Sequence, residues 1–130
     1  MNVLRNVTII GHGCFKKCTN LESVTFENGS ELKKIGEEAF YETNINKITI
    51  PKSVNLIEDR CFKKCNKLES VAFELGSELK KIGEEAFYET NINKITIPKS
   101  VKLIGKNCFK SYTDPKTIKI KDEPKSQKGV

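Results

Sequence analysis

Five cysteines, one histidine and two pairs of adjacent glutamates are the residues of this 130-residue chain whose types could do chemistry. Cys14 and Cys18, and again Cys61 and Cys65, stand in C-x-x-x-C spacing, with Cys108 alone. Such couples invite zinc, which wants four Cys or His ligands, or a disulfide. The odd count argues against a full disulfide framework. His12 sits in Gly11-His12-Gly13 with no nucleophile or ligand set beside it in the sequence, and reads as a turn residue. Glu37/Glu38 and Glu84/Glu85 could be imagined as catalytic carboxylates, but adjacent residues on a helix do not converge on one substrate.

The elements that must position these groups are set by a repeat. Cys14 to Arg60 and Cys61 to Asn107 are two copies of one 47-residue unit that differ at eight positions. A third copy opens at Cys108 and decays. Each unit is itself two turns, because Phe15, Phe40, Phe62, Phe87 and Phe109 recur at alternating spacings of 25 and 22. In these columns Cys14, Ala39, Cys61, Ala86 and Cys108 align, as do Cys18, Thr43, Cys65, Thr90 and Tyr112. Cysteine exchanging with Ala and Thr behaves as a small buried hydrophobe, so the thiols are predicted to be free and buried. The two couples lie two turns apart, roughly 10 Å by strand spacing, and cannot share a metal. The glutamate pairs recur with the unit, which marks them as scaffold. No catalytic residue, metal site or cofactor is predicted.

After each Phe comes a half-buried strand of alternating character. These segments are Leu21-Val24-Phe26, Ile45-Ile48-Ile50, Leu68-Val71-Phe73, Ile92-Ile95-Ile97 and a weaker Pro115-Ile118-Ile120. A turn follows, either Glu27-Asn28-Gly29-Ser30 or Pro51-Lys52-Ser53. A second apolar segment then ends at Ile10, Ile35, Ile57, Ile82 or Ile104, usually with Gly next, Glu58 being the exception. A short helical or 3₁₀ turn is expected to carry Ala-Phe or Cys-Phe. No turn of this size buries its own core, so the turns must stack.

Stacking puts three rows of side chains on the surface. The outward strand positions include Ser23, Thr25, Lys47, Thr49, Ser70, Lys94 and Thr96. They form the face where solenoids usually bind and are the candidate ligand-binding residues. The face is polar and poor in the Tyr, Trp and Arg of strong hot spots, which fits weak multivalent contact. Lys33, Lys34, Lys80, Lys81 and Lys102 make a basic stripe that could meet a sulfated glycan or another acidic surface. Charges after the Phe alternate from Lys16-Lys17 to Glu42, Lys63-Lys64 and Glu89, so opposite signs are expected one turn apart.

The pattern resembles the BspA-type leucine-rich repeat. It appears as Ile35-Gly36 with Ala39-Phe40, then Thr43, Ile45, Ile48, Ile50 and Pro51, and again from Val54 through Cys61-Phe62, Cys65, Leu68, Val71 and Phe73. The variant with Phe-Glu-x-Gly-Ser and Ile-Pro-Lys-Ser-Val resembles the surface antigen repeats of parasitic protists. The resemblance implies an α/β repeat: a right-handed leucine-rich-repeat solenoid with short parallel strands on one face and short helical or 3₁₀ turns on the other. It also implies a cell-surface or secreted adhesin or interaction protein that binds a protein or glycan ligand such as host extracellular matrix. An intracellular scaffold is the alternative. The chain departs from the family pattern in lacking Gly before the second Cys column, with Lys17 and Glu42 there instead.

Composition narrows the partners. The net charge of +6 favours acidic partners, yet no basic-plus-aromatic nucleic-acid motif is present. No apolar stretch of about 18 residues exists to insert in a membrane, and the N-terminus lacks a secretory pattern. Asn6-Val7-Thr8 and Asn28-Gly29-Ser30 have the form of glycosylation sequons. Residues 1–120 are expected to make about five turns, the N-terminal one incomplete, and 121–130 a disordered tail. The chain opens midway through a repeat, which predicts either a longer array or a homodimer through the uncapped first turn.

Overall fold

A computed structural model describes residues 1–109 and the strand 118–120. The chain winds into a parallel solenoid with three sides per turn. The first side holds β1 (Asn2–Val3), β3 (Thr25–Phe26), β5 (Lys47–Ile50), β7 (Ser70–Phe73), β9 (Ile95–Ile97) and β11 (Ile118–Ile120). The second holds β2 (Ile9–Ile10), β4 (Lys34–Ile35), β6 (Leu56–Ile57), β8 (Lys81–Ile82) and β10 (Leu103–Ile104). Four turns are complete among the described residues, beginning at β1, β3, β5 and β7, and another begins at β9. The tail expected at 121–130 lies outside the described residues.

On the first side the ladder is parallel within three pairs, β1 with β3, β5 with β7 and β9 with β11. Lys47, Ile48, Thr49 and Ile50 face Ser70, Val71, Ala72 and Phe73, and a bridge from Ser70 to Lys94 ties β7 to the next turn. The second side is one five-stranded sheet in which Ile10, Ile35, Ile57, Ile82 and Ile104 stack in register. Between the sides lie columns of buried side chains: Leu32, Val54 and Leu79; Ile45, Leu68 and Ile92; Ile50 and Ile97. Phe15, Phe40, Phe62, Phe87 and Phe109 form a continuous stack of nearly parallel rings 5.2–5.4 Å apart. Each interior ring therefore meets another on both faces, within the range where aromatic pairs attract.

The third side corrects the sequence reading. No helix is found among the described residues; the predicted helical or 3₁₀ face is a run of tight turns. Alternate N–H groups bond within the turn, as in Ala39 to Gly36, Tyr41 to Glu38 and Thr43 to Phe40. The others bond across to the next turn: Glu38, Phe40 and Glu42 donate to the carbonyls of Asp59, Cys61 and Lys63. Gly13, Phe15 and Lys17 do the same toward Glu37, Ala39 and Tyr41, and Arg60, Phe62 and Lys64 toward Glu84, Ala86 and Tyr88. Aiming N–H groups along the stack requires left-handed backbone at two residues of each turn. These pairs are Gly13/Lys17, Glu38/Glu42, Arg60/Lys64 and Glu85/Glu89, all with φ between 55° and 63°. An α-helix cannot accommodate that alternation. Two acids at the N-terminal end of Glu37-Glu38-Ala39-Phe40 favour helix initiation, but interturn bonding prevails.

Turns approach closely where the second side meets the third. A Cβ on Gly36 would stand 2.8 Å from the backbone of Gly11 and His12, and one on Gly105 would overlap Glu84. In the same column Glu58 replaces Gly, and its carboxylate reaches back to accept the Glu37 N–H at 3.2 Å. Asp59 Oδ1 reaches forward to accept the Glu84 N–H at 2.9 Å. One turn thus satisfies a backbone donor on each side of it.

Candidate functional site

The chemistry-bearing residues gather on the third side, where packing and ion pairing occupy them. Cys61, Cys65 and Cys108 are buried, and all five cysteines are free. Cys65 Sγ donates to the Phe40 carbonyl at 2.9 Å and lies 3.3 Å from Thr43 Oγ1. Burial raises the Cys61 thiol well above its ordinary range, Cys65 to about 11 and Cys108 to about 12. Such thiols are poor nucleophiles. Cys14 and Cys18, expected to be buried, are exposed. They occupy the same columns as Cys61 and Cys65, and among the described residues a turn stacks against them from one side. Among the described residues no three His, Cys, Asp or Glu stand together as a metal site.

Glu37, Glu38 and Glu85 serve as ion-pair partners between turns. Lys16 Nζ donates to Glu38 at 3.0 Å, and Lys63 Nζ to Glu85 at 2.9 Å. Arg60 donates to Glu37 at 2.7 Å and stands 3.9 Å from Glu38. The Lys16 hydrogen bond holds the Glu38 carboxyl below its usual range, and the Glu85 hydrogen bond raises the Lys63 ammonium. Opposite charges do meet one turn apart, but Lys16 and Lys63 reach Glu38 and Glu85, not Glu42 and Glu89. The same lysines lie 5.2 Å from the ring centroids of Tyr41 and Tyr88. His12 Nε2 is 3.8 Å from Glu38 and exposed.

The first side is where space is left. A hollow of about 360 Å³ crosses β3 and β5 and is lined by Thr25, Lys47, Thr49 and Ser70 among others. A larger one, about 790 Å³, crosses β7 and β9 and includes Ser70, Lys94 and Thr96. The two share Ser70, Ala72 and Glu74, so they form one groove along the strand face. Six of the seven candidate strand-face residues line it; Ser23 does not. Of the basic stripe, Lys80 and Lys102 turn into the larger hollow, whereas Lys33, Lys34 and Lys81 lie outside it. Lys34 stands 3.8 Å from Glu58.

Residues 1–114 match the BspA type leucine-rich repeat region in six copies. The chain belongs to the BspA-type leucine-rich repeat family. Its structure is similar to that of the pneumococcal vaccine antigen PcpA, with a TM-score of 0.87 and 30% identity over 93% of this chain and 30% of that one. A leucine-rich cell surface protein of Faecalibacterium prausnitzii matches with a TM-score of 0.55 and 29% identity, over 83% of this chain and 35% of that one. A leucine-rich repeat protein of Bacteroides ovatus shares the fold at a TM-score of 0.53 and 24% identity, over 92% and 44%. The chain thus spans less than half the length of these neighbours. No curated protein matches it.

As a member of this family, the chain shows what its missing glycines mean. Lys17, Glu42, Lys64 and Glu89 sit where the family pattern carries Gly, and all four have positive φ. The backbone has kept the conformation after losing the residue that adopts it most cheaply. In the groove, sequence reasoning missed Leu75. The one signal for Leu75 was its replacement of Asn28 between the copies.

Proposed function

We propose that this chain is a non-catalytic binding module whose strand face meets a protein ligand at a cell surface. The groove along β3, β5, β7 and β9 carries this reading. Solenoids bind on such extended faces, and the third side leaves Glu37, Glu38, Glu85 and its buried thiols committed to the stack. The neighbours' names, a cell surface protein and a vaccine antigen, support the surface setting. Host matrix proteins and sulfated glycans are the ligands to try first. No helix among the described residues is long and apolar enough to cross a membrane.

The intracellular scaffold is the second reading. Five free cysteines favour it, because reducing compartments keep thiols unpaired.

The test measures binding of the chain to immobilised matrix proteins and sulfated glycans, against a Thr49→Arg/Thr96→Arg variant. Both threonines are exposed on the groove, so the variant is expected to fold and to lose binding. Undiminished binding would place the ligand elsewhere. Loss of glycan binding on replacing Lys33, Lys34 and Lys81 instead would move the site to the second side.

A further inference from the structure

The two 47-residue copies differ at only eight positions, and three of these differences line the larger hollow. Thr25, Asn28 and Asn55 of the first copy become Ala72, Leu75 and Lys102 of the second. Leu75 projects from the turn after β7 with 82% of its surface exposed, where the first copy has a polar Asn. Lys102 stacks on Lys80, its N–H donating to the Lys80 carbonyl at 2.8 Å. The first copy offers Asn55 at the corresponding place, beside Lys33. The hollow thus gains an apolar knob, a smaller floor and a second adjacent lysine together.

Three lysines of this hollow stand apart from the ion pairs that run along the third side. No salt bridge among the described residues involves Lys80, Lys94 or Lys102. Glu74, an acid on the rim, already accepts the Lys52 N–H at 2.8 Å. Ser100 donates to the Leu79 carbonyl and Ser77 accepts the Leu79 N–H. What the hollow offers a ligand includes the ammonium groups of Lys80, Lys94 and Lys102, the Thr96 hydroxyl and the apolar surface of Ala72 and Leu75, with Glu69 and Glu74 as its acids.

We propose that the hollow across β7 and β9 is a specific site for an acidic peptide segment that carries an apolar side chain. This rests on the strand-face reading above and names its ligand class. The lysines take the carboxylates, and the Leu75 wall takes the apolar group. A sulfated sugar would use the lysines alone and leave Leu75 without a partner. The aromatic residue in its lining, Phe73, is partly buried and packs against the core. About 790 Å³ is within the range of sites that enclose a small ligand, enough for a few residues of extended chain.

The experiment uses a fluorescein-labelled pentapeptide, Glu-Glu-Leu-Glu-Glu, read by fluorescence anisotropy on the full chain. Its controls are the same peptide with Ser at the centre, a Gln-Gln-Leu-Gln-Gln peptide, and an unlabelled heparin-derived hexasaccharide as competitor. The acidic leucine peptide is expected to bind best and to weaken as salt rises toward about 0.15 M. The variant Ala72→Thr/Leu75→Asn/Lys102→Asn converts three exposed residues to those of the first copy, so its folding is not at issue. It is expected to lose about tenfold in affinity, which corresponds to about 1.4 kcal/mol. Equal binding by this variant, no preference for the leucine peptide, or displacement by the hexasaccharide would each overturn the proposal. If the peptide fails while matrix binding still depends on Thr49 and Thr96, only the peptide site falls. If that dependence is also lost, the strand-face reading falls with it.

Discussion

The two copies of the 47-residue unit are a natural control for one another. Cys14-Phe15-Lys16-Lys17-Cys18 and Cys61-Phe62-Lys63-Lys64-Cys65 are the same five residues. The first has its cysteines exposed and its Phe half-buried, stacked on one ring; the second has both cysteines and the Phe buried, with rings on both sides. The ion pair from the first lysine is nearly the same in each, at 3.0 and 2.9 Å. Burial in this fold is therefore a property of position in the stack, while the local backbone and its charge pairing belong to the residues themselves.

Thiol labelling gives the widest separation between the copies. Cys14 and Cys18 are expected to react with a thiol reagent within the mixing time. Cys61, Cys65 and Cys108 should react orders of magnitude more slowly, at the rate of opening. Five equally fast thiols would break the comparison. The same groups set an alkaline limit. Their folded values lie above the ordinary 9.0, so the neutral form is favoured in the fold. The stability this gives is whole below about pH 9 and declines as pH rises toward 11–12, as urea melts at stepped pH would show.

Ring removal comes next. Phe62→Ala should cost about 3–5 kcal/mol, the range for deleting a fully buried aromatic, and Phe15→Ala roughly half of that. Equal losses in urea denaturation would mean that the end turn is as well packed as the interior. Glycine columns sharpen the contrast further. Gly83→Ala drives a Cβ into Asp59 and should cost about 1–3 kcal/mol. Gly11→Ala, with nothing within 4 Å, should stay within about 0.5 kcal/mol.

The smallest effect is the one on which the copies should agree. Lys17 and Lys64 have φ of 60° and 63°, so Lys17→Gly and Lys64→Gly should each stabilise by about 0.5–1 kcal/mol. Gains that differ between the copies in thermal melts would show that burial, not backbone, sets the value at these sites.

The repeat, the Phe phase, the strand alternation and the small-residue columns were all legible in the sequence, because each depends on periodicity. The third side was not. Glu37-Glu38-Ala39-Phe40 has good local helix character, and only the between-turn hydrogen bonds reveal why no helix forms. A trace was present, since Gly13 heads one left-handed column and the family's usual Gly heads the other. Lys17, Glu42, Lys64 and Glu89 masked the second. The partners of Lys16 and Lys63 were misplaced for the same reason: the tight turns carry Glu38 and Glu85 to them, where a helix would have brought other acids. In the candidate site, six strand-face residues could be named from alternation alone. Leu75 could not, because a single exposed Leu in a turn has no period.

The pairing of Lys63 with Glu85 limits how an array of this kind can change length. Lysine-bearing turns stack on glutamate-bearing ones, and Tyr41 lies beside lysines of both neighbouring turns, Lys16 and Lys64. Excising a single turn, Glu38 to Asp59, would slide Lys16 over Arg60 and set cation against cation. Removing or duplicating a whole 47-residue unit keeps each lysine-bearing turn stacked on a glutamate-bearing one. Recombination between copies so alike would then add or subtract turns in twos, and odd-numbered products would be selected against by electrostatics before any ligand was met.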